Sequence, residues 1–372
     1  MTRLPRDVIE AAPGWRSARR MLCVRLDSIG DVLMTSPALR AVKESSPGRQ
    51  VTLLTSAAGA AVARLIPLID EAITYDAPWM KATAPHADPT ADLALIERLR
   101  SGAFDAAVIF TCFSQSPLPA ALLCFLAGIP LRLAHCRENA YQLLSERVSE
   151  CEPEGGVRHE VVRQLDLVAA VGYHTADDRL ALEVPPEAKV AMTRRLCDLG
   201  LERRSRSVPW AVLHPGATAA SRRYPAEQYA AVARRLVSEH GWRLLYTGGE
   251  GERELVEQVI AGSGVPGVNL AGALSLEELA ALIARAPLLI TNNTGPAHIA
   301  AAVGTPVVDL YAQTNPQHTP WHVPCRVLNQ DVPCRWCYKS VCPQGHQRCL
   351  REVPPASVVA AAVELAWEMG RD

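Results

Sequence analysis
The amino-acid sequence predicts an α/β protein built from two doubly wound parallel sheets. Three observations carry this. Short apolar runs alternate with helical patterns over residues 21–110, and the alternation restarts at residue 210. Two of the runs end in glycine turns. Met21-Leu22-Cys23-Val24 leads into Arg25-Leu26-Asp27-Ser28-Ile29-Gly30-Asp31, and Ala286-Pro287-Leu288-Leu289-Ile290 leads into Asn292-Asn293-Thr294-Gly295-Pro296-Ala297-His298. In parallel sheets such turns hold ligands, because helix N-termini present unpaired N–H groups to anions. Finally, 372 residues are long for one core and comfortable for two. The repeated device suggests two nucleotide-type folds facing one cleft. One half would hold a phosphorylated donor, the other a carboxylate, Asp31, able to take a proton.

In the first half, residues 21–25 read as a strand and 31–44 as a helix with Val32, Leu33, Ala38, Leu39 and Val42 on one face. Residues 51–55 form a second strand, 57–65 a helix and 71–75 a third strand. A Pro-rich loop spans 77–89, a helix 93–100, and 105–110 is a strongly apolar strand. The segment 184–187 looks like a linker into a helix at 188–199. Strands at 210–214, 242–246, 268–270, 288–290 and 306–311 then alternate with helices at 225–239, 252–261, from Ser275-Leu276-Glu277-Glu278 with its capping-box pattern, at 297–303 and at 353–369. The expected domains are 21–184 and 185–372, after a polar leader at 1–20.

Composition excludes several classes. Charged residues are 21% and the formal net charge is −1, so no broad nucleic-acid or membrane electrostatic footprint is expected. The aromatic content of 5% is poor for base stacking. Residues 1–20 have no apolar core of the secretory kind. Leu118 to Leu131 is the longest apolar stretch, but Pro119, Gly128 and Pro130 interrupt it. A spanning helix needs roughly 20 apolar residues, so a buried helix is expected there. A cytoplasmic location follows, with peripheral contact at the inner membrane left open.

Four constellations could carry chemistry. Gly30 allows close backbone approach, and Asp31 lies near a helix N-terminus. Asp31 reads either as a cap, worth about 0.5–2 kcal/mol, or as a general base kept ionised by the helix dipole. In His214-Pro215-Gly216-Ala217-Thr218, Gly216 and Thr218 offer phosphate donors, and Arg222 adds a fixed charge. Thr247-Gly248-Gly249-Glu250-Gly251-Glu252 is a glycine turn without the dinucleotide spacing, so a hydride-transfer cofactor is disfavoured. A Glu there suits ribose hydroxyls. Thr294 and Gly295 can present N–H groups to a diphosphate, with His298 one turn further in.

Eleven cysteines are many for a cytoplasmic chain. Five fall between Cys325 and Cys349, within a Cys-rich loop at 325–349. Cys334, Cys337, Cys342 and Cys349, with His346 among them, suit tetrahedral zinc or iron in a structural role. Unliganded thiols packing a loop are the alternative.

The stretches RLDSIGDVLMTSPALRAVK (25–43), HPGATAASRRYP (214–225), TGGEGERE (247–254) and NNTGPAHIAAAVGTPVV (292–308) together resemble the inverting glycosyltransferases of family 9, the ADP-heptose (lipopolysaccharide) heptosyltransferase family. The resemblance runs from about residue 21 to the C-terminus. It implies a GT-B fold, an acceptor-binding N-terminal domain and a C-terminal domain for an ADP-heptose donor. It puts the catalytic base on Asp31. It puts the phosphate-binding cation on Arg222 (the family has Lys), the ribose-binding Glu on Glu252 beside Gly249, the phosphate turn on Thr294–Gly295 and the family His on His298. Asn293 replaces the family Asp that helps hold the donor sugar, so it would bond hydroxyls without charge. No cofactor is implied for catalysis. A branch of the family that glycosylates autotransporter proteins carries a four-cysteine iron finger near this position, and the present cluster is similar in kind. The acceptor stays open among lipopolysaccharide core, another polysaccharide, a lipid-linked saccharide and a protein, as does a homo-oligomer. A nucleotide-sugar epimerase and a non-catalytic nucleotide-sugar-binding scaffold are the competing readings.

Overall fold
Met21, Leu22, Cys23 and Val24 form an unbroken apolar run, and all four are essentially inaccessible to solvent. Such runs, buried on both faces, are the mark of a central parallel strand. In the computed structural model, which describes residues 12–369 except 82, 85 and 202–208, this run is the heart of β1. The chain divides into two compact units between Ala181 and Leu182.

The first unit contains α1 (Pro13–Ser17), β1 (Arg20–Arg25), α2 (Ile29–Glu44), β2 (Gln50–Thr55), α3 (Ala57–Ala63), β3 (Glu71–Thr74), α4 (Thr90–Ser101), β4 (Ala106–Ile109), α5 (Leu118–Leu126), β5 (Leu131–Cys136), β6 (Glu146–Ser149) and α6 (Glu160–Ala169). The second contains α7 (Pro186–Asp198), β7 (Trp210–His214), α8 (Ala226–His240), β8 (Arg243–Tyr246), α9 (Arg253–Ser263), β9 (Val268–Asn269), α10 (Leu276–Arg285), β10 (Leu289–Asn292), α11 (Gly295–Val303), β11 (Val307–Leu310), β12 (Cys325–Leu328), α12 (Arg348–Arg351) and α13 (Pro355–Met369). Two 3-10 turns, Ala220–Arg222 and Glu250–Glu252, also lie in the second unit.

The strand orders are β3-β2-β1-β4-β5-β6 and β12-β11-β10-β7-β8-β9, with every pairing parallel. These are the same doubly wound order, written from opposite edges. In each sheet the order reverses between the unit's first strand and its fourth: β1 beside β4, and β7 beside β10. The crevice outside the carboxyl ends of such a pair is where open α/β sheets bind ligands. Each unit has its own apolar core. One gathers Val24, Leu54, Leu99 and Ile109, the other Leu213, Tyr229, Ile290 and Val358.

Helix α2 carries Pro37 in its interior. Proline has no N–H for the carbonyl of Leu33. The Ser36 hydroxyl donates to that carbonyl at 2.6 Å and accepts the Ala181 N–H at 2.8 Å.

Several expectations are corrected. Leu118–Leu131 is not one buried helix. Gly128 takes a left-handed φ of 78°, Pro130 disfavours helix at the residue before it, and the chain re-enters the sheet as β5. The outer face of α5, with Leu122, Phe125 and Leu126, is more than two-fifths exposed. Of the leader expected at 1–20, the described part packs on the first unit. Residues 1–11 lie outside the described set, but Trp15 of α1 is buried edge-on against Tyr173. Cys325 belongs to β12 rather than to a loop. Among the described residues no helix is long and apolar enough to cross a membrane.

Candidate active site
In the first unit, β1 ends on Arg25, whose side chain is fully buried. Burying a guanidinium demands charged partners, and Arg25 has three. Its Nε lies 2.9 Å from Asp27, its Nη2 3.1 Å from Asp31 and its Nη1 2.8 Å from Glu160, which is equally buried on α6. The Cys112 sulfur sits 3.3 Å from Nη2. Burial pushes the Asp27 carboxyl up, against the pull of Arg25. Burial pushes the Cys112 thiol well up, so it stays protonated.

Asp31 is the third residue of α2. Its carboxylate accepts the Ser28 hydroxyl at 2.7 Å and the Ser28 N–H at 3.2 Å, closing a capping box. The cap reading of Asp31 is therefore realised in the geometry. The carboxylate stays 16% exposed and turned to Arg25, which leaves it a route to a ligand. Gly30 lies inside the first turn of α2 and takes no positive φ, so no left-handed turn requires a glycine there.

In the second unit, the loop after β7 is clamped by Asn292 at the end of β10. Its amide donates to the carbonyls of Pro215 (2.8 Å) and Gly216 (3.1 Å), and its Oδ1 accepts the Tyr224 N–H at 2.9 Å. Within this loop Thr218 is exposed and Arg222 half-exposed. Glu252 reaches back to accept the Gly249 N–H at 2.9 Å. A Cβ on Gly216 would sit 2.1–2.3 Å from the Glu252 carboxyl group, so glycine is what admits that carboxylate. His214 lies 3.8 Å from Glu252 and bonds Thr247 at 3.0 Å; burial pushes its pKa down, keeping it neutral.

Thr294 is the N-cap of α11 with an extended backbone, and Gly295 is its first residue. Pro296 follows, so Gly295 supplies the available N–H at this start. His298 is 3% exposed. Asn293 faces inward. Its amide donates inward, to the His318 carbonyl at 2.6 Å and to Asp309 at 3.4 Å, and the residue is only 2% exposed. Asp309 is fully buried on β11, and burial raises its carboxyl to about 7 despite Asn293 and the charge of Arg222.

Glu160, Asn292 and Asp309 are site elements that sequence reasoning missed. The signal available for Asn292 was its place at the end of a strand beside the glycine turn.

Cys334, Cys337, Cys342, His346 and Cys349 line one cavity with Ser221 and Gln347. All four cysteines are free thiols. The side chains do not close to the mutual spacing of a filled tetrahedral site. No three of their ligand atoms all lie within 4.8 Å of one another.

A family model described as glycosyltransferase family 9 (heptosyltransferase) matches residues 93–347. The chain belongs to glycosyltransferase family 9. This family 9 chain is a glycosyltransferase. It is 23% identical over 347 residues to lipooligosaccharide heptosyltransferase 2 of Campylobacter jejuni, covering 91% of this chain and 96% of the relative. Its fold is similar to that of a family 9 glycosyl transferase from Veillonella parvula, with a TM-score of 0.76 at 21% identity over 94% of this chain and 97% of that one. The Escherichia coli ADP-heptose LPS heptosyltransferase II is also similar, with a TM-score of 0.71 at 21% identity over 94% and 99% of the two chains. These likenesses give the family 9 chain a GT-B architecture, two parallel-sheet domains of the Rossmann type.

Proposed function
We propose that this glycosyltransferase moves a heptose from ADP-heptose to a hydroxyl of a saccharide of the lipopolysaccharide-core type, with inversion at the anomeric carbon. The observation that carries this reading is Asp31: a partly exposed carboxylate at a helix N-terminus, fixed by Arg25 and Ser28. In this reading Asp31 removes the proton of the acceptor hydroxyl as its oxygen attacks the anomeric carbon. The bond to the diphosphate breaks and ADP leaves with the electron pair. Arg222, the Thr218 hydroxyl and the N–H of Gly295 at the Thr294 cap stabilise the departing charge. Glu252, held by Gly249, takes the ribose hydroxyls. Asn293 and His298 hold the diphosphate turn in place. The names of the similar heptosyltransferases support the donor and acceptor class.

The test is transfer from ADP-heptose to a heptose-accepting core saccharide, followed by mass spectrometry. Asp31→Asn should lower kcat by roughly 10²–10⁴-fold, the usual worth of a general base, while ADP binds as before. Loss of ADP binding or of folding in that variant would reduce Asp31 to a helix cap.

A further inference from the structure
We propose that Glu160 is a positioning residue for Asp31. From α6 it holds one edge of the Arg25 guanidinium, aims the other edge at the Asp31 carboxylate, and shares the charge that would otherwise fall on Asp31. The proposal rests on the reading of Asp31 as the general base.

Arg25 is the last residue of β1, and its side chain is fully buried. A guanidinium is planar and presents its donors in a fixed fork, so whatever holds one edge aims the other. Nη1 donates to Glu160 Oε1 at 2.8 Å. Nη2 donates to Asp31 Oδ1 at 3.1 Å and to the Cys112 sulfur at 3.3 Å. Asp27 lies 2.9 Å from Nε, yet the Nε–H makes no aligned hydrogen bond. Asp27 therefore adds charge, while Glu160 sets orientation.

Glu160 is itself immobilised. It is the first residue of α6 and is fully buried, at a helix N-terminus that favours an anion. Gln164, one turn on, donates from Nε2 to the same Oε1 at 2.6 Å and to the Thr111 carbonyl at 3.0 Å. Arg163 donates to that carbonyl as well, and its Nε donates to Glu150 at 3.1 Å. Thr111 precedes Cys112, so α6 fixes both Glu160 and the segment whose sulfur meets Nη2.

Among the described residues of the first unit, four titratable groups face Arg25. They are Asp27 from the turn after β1, Asp31 from α2, Cys112 from the segment after β4 and Glu160 from α6. One carboxylate neutralises a buried guanidinium. A second and a third share the same cation, so each is held less firmly as an anion and accepts a proton more readily. Glu160 has no exposed surface, so its charge reaches a substrate only by way of Arg25. Asp31, at 16% exposure, is reachable.

The test measures transfer from ADP-heptose to a heptose-accepting core saccharide by the full chain, with Asp31→Asn as the reference for loss of the base. Glu160→Gln keeps an acceptor for Nη1 and removes the charge. It should lower kcat about tenfold or more and leave both KM values within about twofold. It should also move the acid limb of the kcat/KM profile down by about one pH unit, because Arg25 then acts more fully on Asp31. Glu160→Asp, which restores the charge one methylene back, should return the limb most of the way. Gln164→Met releases Glu160 without touching Arg25 and should lower kcat several-fold. It carries the test if Glu160→Gln does not fold, and the parent's kcat in it then overturns the proposal. A Glu160→Gln enzyme with the parent's kcat and limb overturns the proposal too. So does a lower kcat with an unmoved limb, which makes Glu160 a contact of the fold alone. An inactive parent overturns the proposed transfer, and an Asp31→Asn variant at the parent's rate overturns the base reading; the positioning role falls with either.

Discussion

Asp309 shows how a single residue sets a pH dependence that its sequence context does not announce. Its carboxyl is fully buried and holds its proton to about pH 7, whereas an aspartate in an unfolded chain ionises near pH 4. Between those values the unfolded chain binds fewer protons than the folded one. This group therefore makes stability fall as pH rises from about 4 to about 7, and adds no further slope above that. Asp309→Asn should remove the slope. Unfolding free energies from urea titration should match the parent near about pH 3 and exceed it at about pH 8 by at least about 1 kcal/mol. Asp31 and Arg25 were legible in sequence because they stand in a strand-turn-helix motif. Asp309 and Glu160 were not. Asp309 sits in Val307-Val308-Asp309-Leu310, which marks only a strand. Glu160 pairs with an arginine 135 positions upstream, and nothing local records that partner.

At the scale of elements, the hand-off at Pro37 is the sharpest dependence in α2. The Ser36 hydroxyl serves the carbonyl that proline leaves unserved and also accepts the N–H of Ala181. Both groups lie in the buried interior. Ser36→Ala leaves two buried polar groups unmatched, each worth about 1–3 kcal/mol. We expect chemical denaturation to report a loss of about 2–4 kcal/mol, and Ser36→Thr to recover part of it. The alternation of strands and helices was readable wherever apolar runs were long and glycine punctuated them. It failed between residues 131 and 169. β6 is a four-residue edge strand, Glu-Arg-Val-Ser, with no buried residue, so period-two alternation had nothing to show. α6 buries Glu160, Arg163 and Gln164 beside Val161 and Leu165. Its inward face is partly polar and escapes a search for apolar stripes. The apolar stretch at 118–131 misled for the opposite reason: hydrophobicity ran on through a helix end, a left-handed glycine and the start of a strand. The cysteine spacing was plain in sequence, but its stitching to residues 220–223 exists only in three dimensions.

At the scale of the whole molecule, each unit repeats one doubly wound order and sets its polar loops at the carboxyl ends of its strands. A ligand that binds the folded chain alone at 100 times its Kd stabilises it by about 2.7 kcal/mol. ADP at that excess should raise the thermal midpoint of the second unit's transition in calorimetry. CDP and GDP at the same concentration should raise it less, because the proposed donor is an adenine nucleotide. An equal response to all three would place recognition in the diphosphate rather than the base.

The shared order also divides each sheet into two poles with different tolerance for change. At one pole lie the turns after β1, β7, β8 and β10, where Arg25, Arg222, Glu252 and Thr294 are set. At the other lie helix-to-strand connections such as Gly264, a left-handed cap with open space around it, followed by the exposed Pro266. Exposed turns of this kind accept inserted sequence well. The connection after α9 is thus a natural handle for a dye or an immobilisation tag, remote along the strands from every residue assigned to the donor.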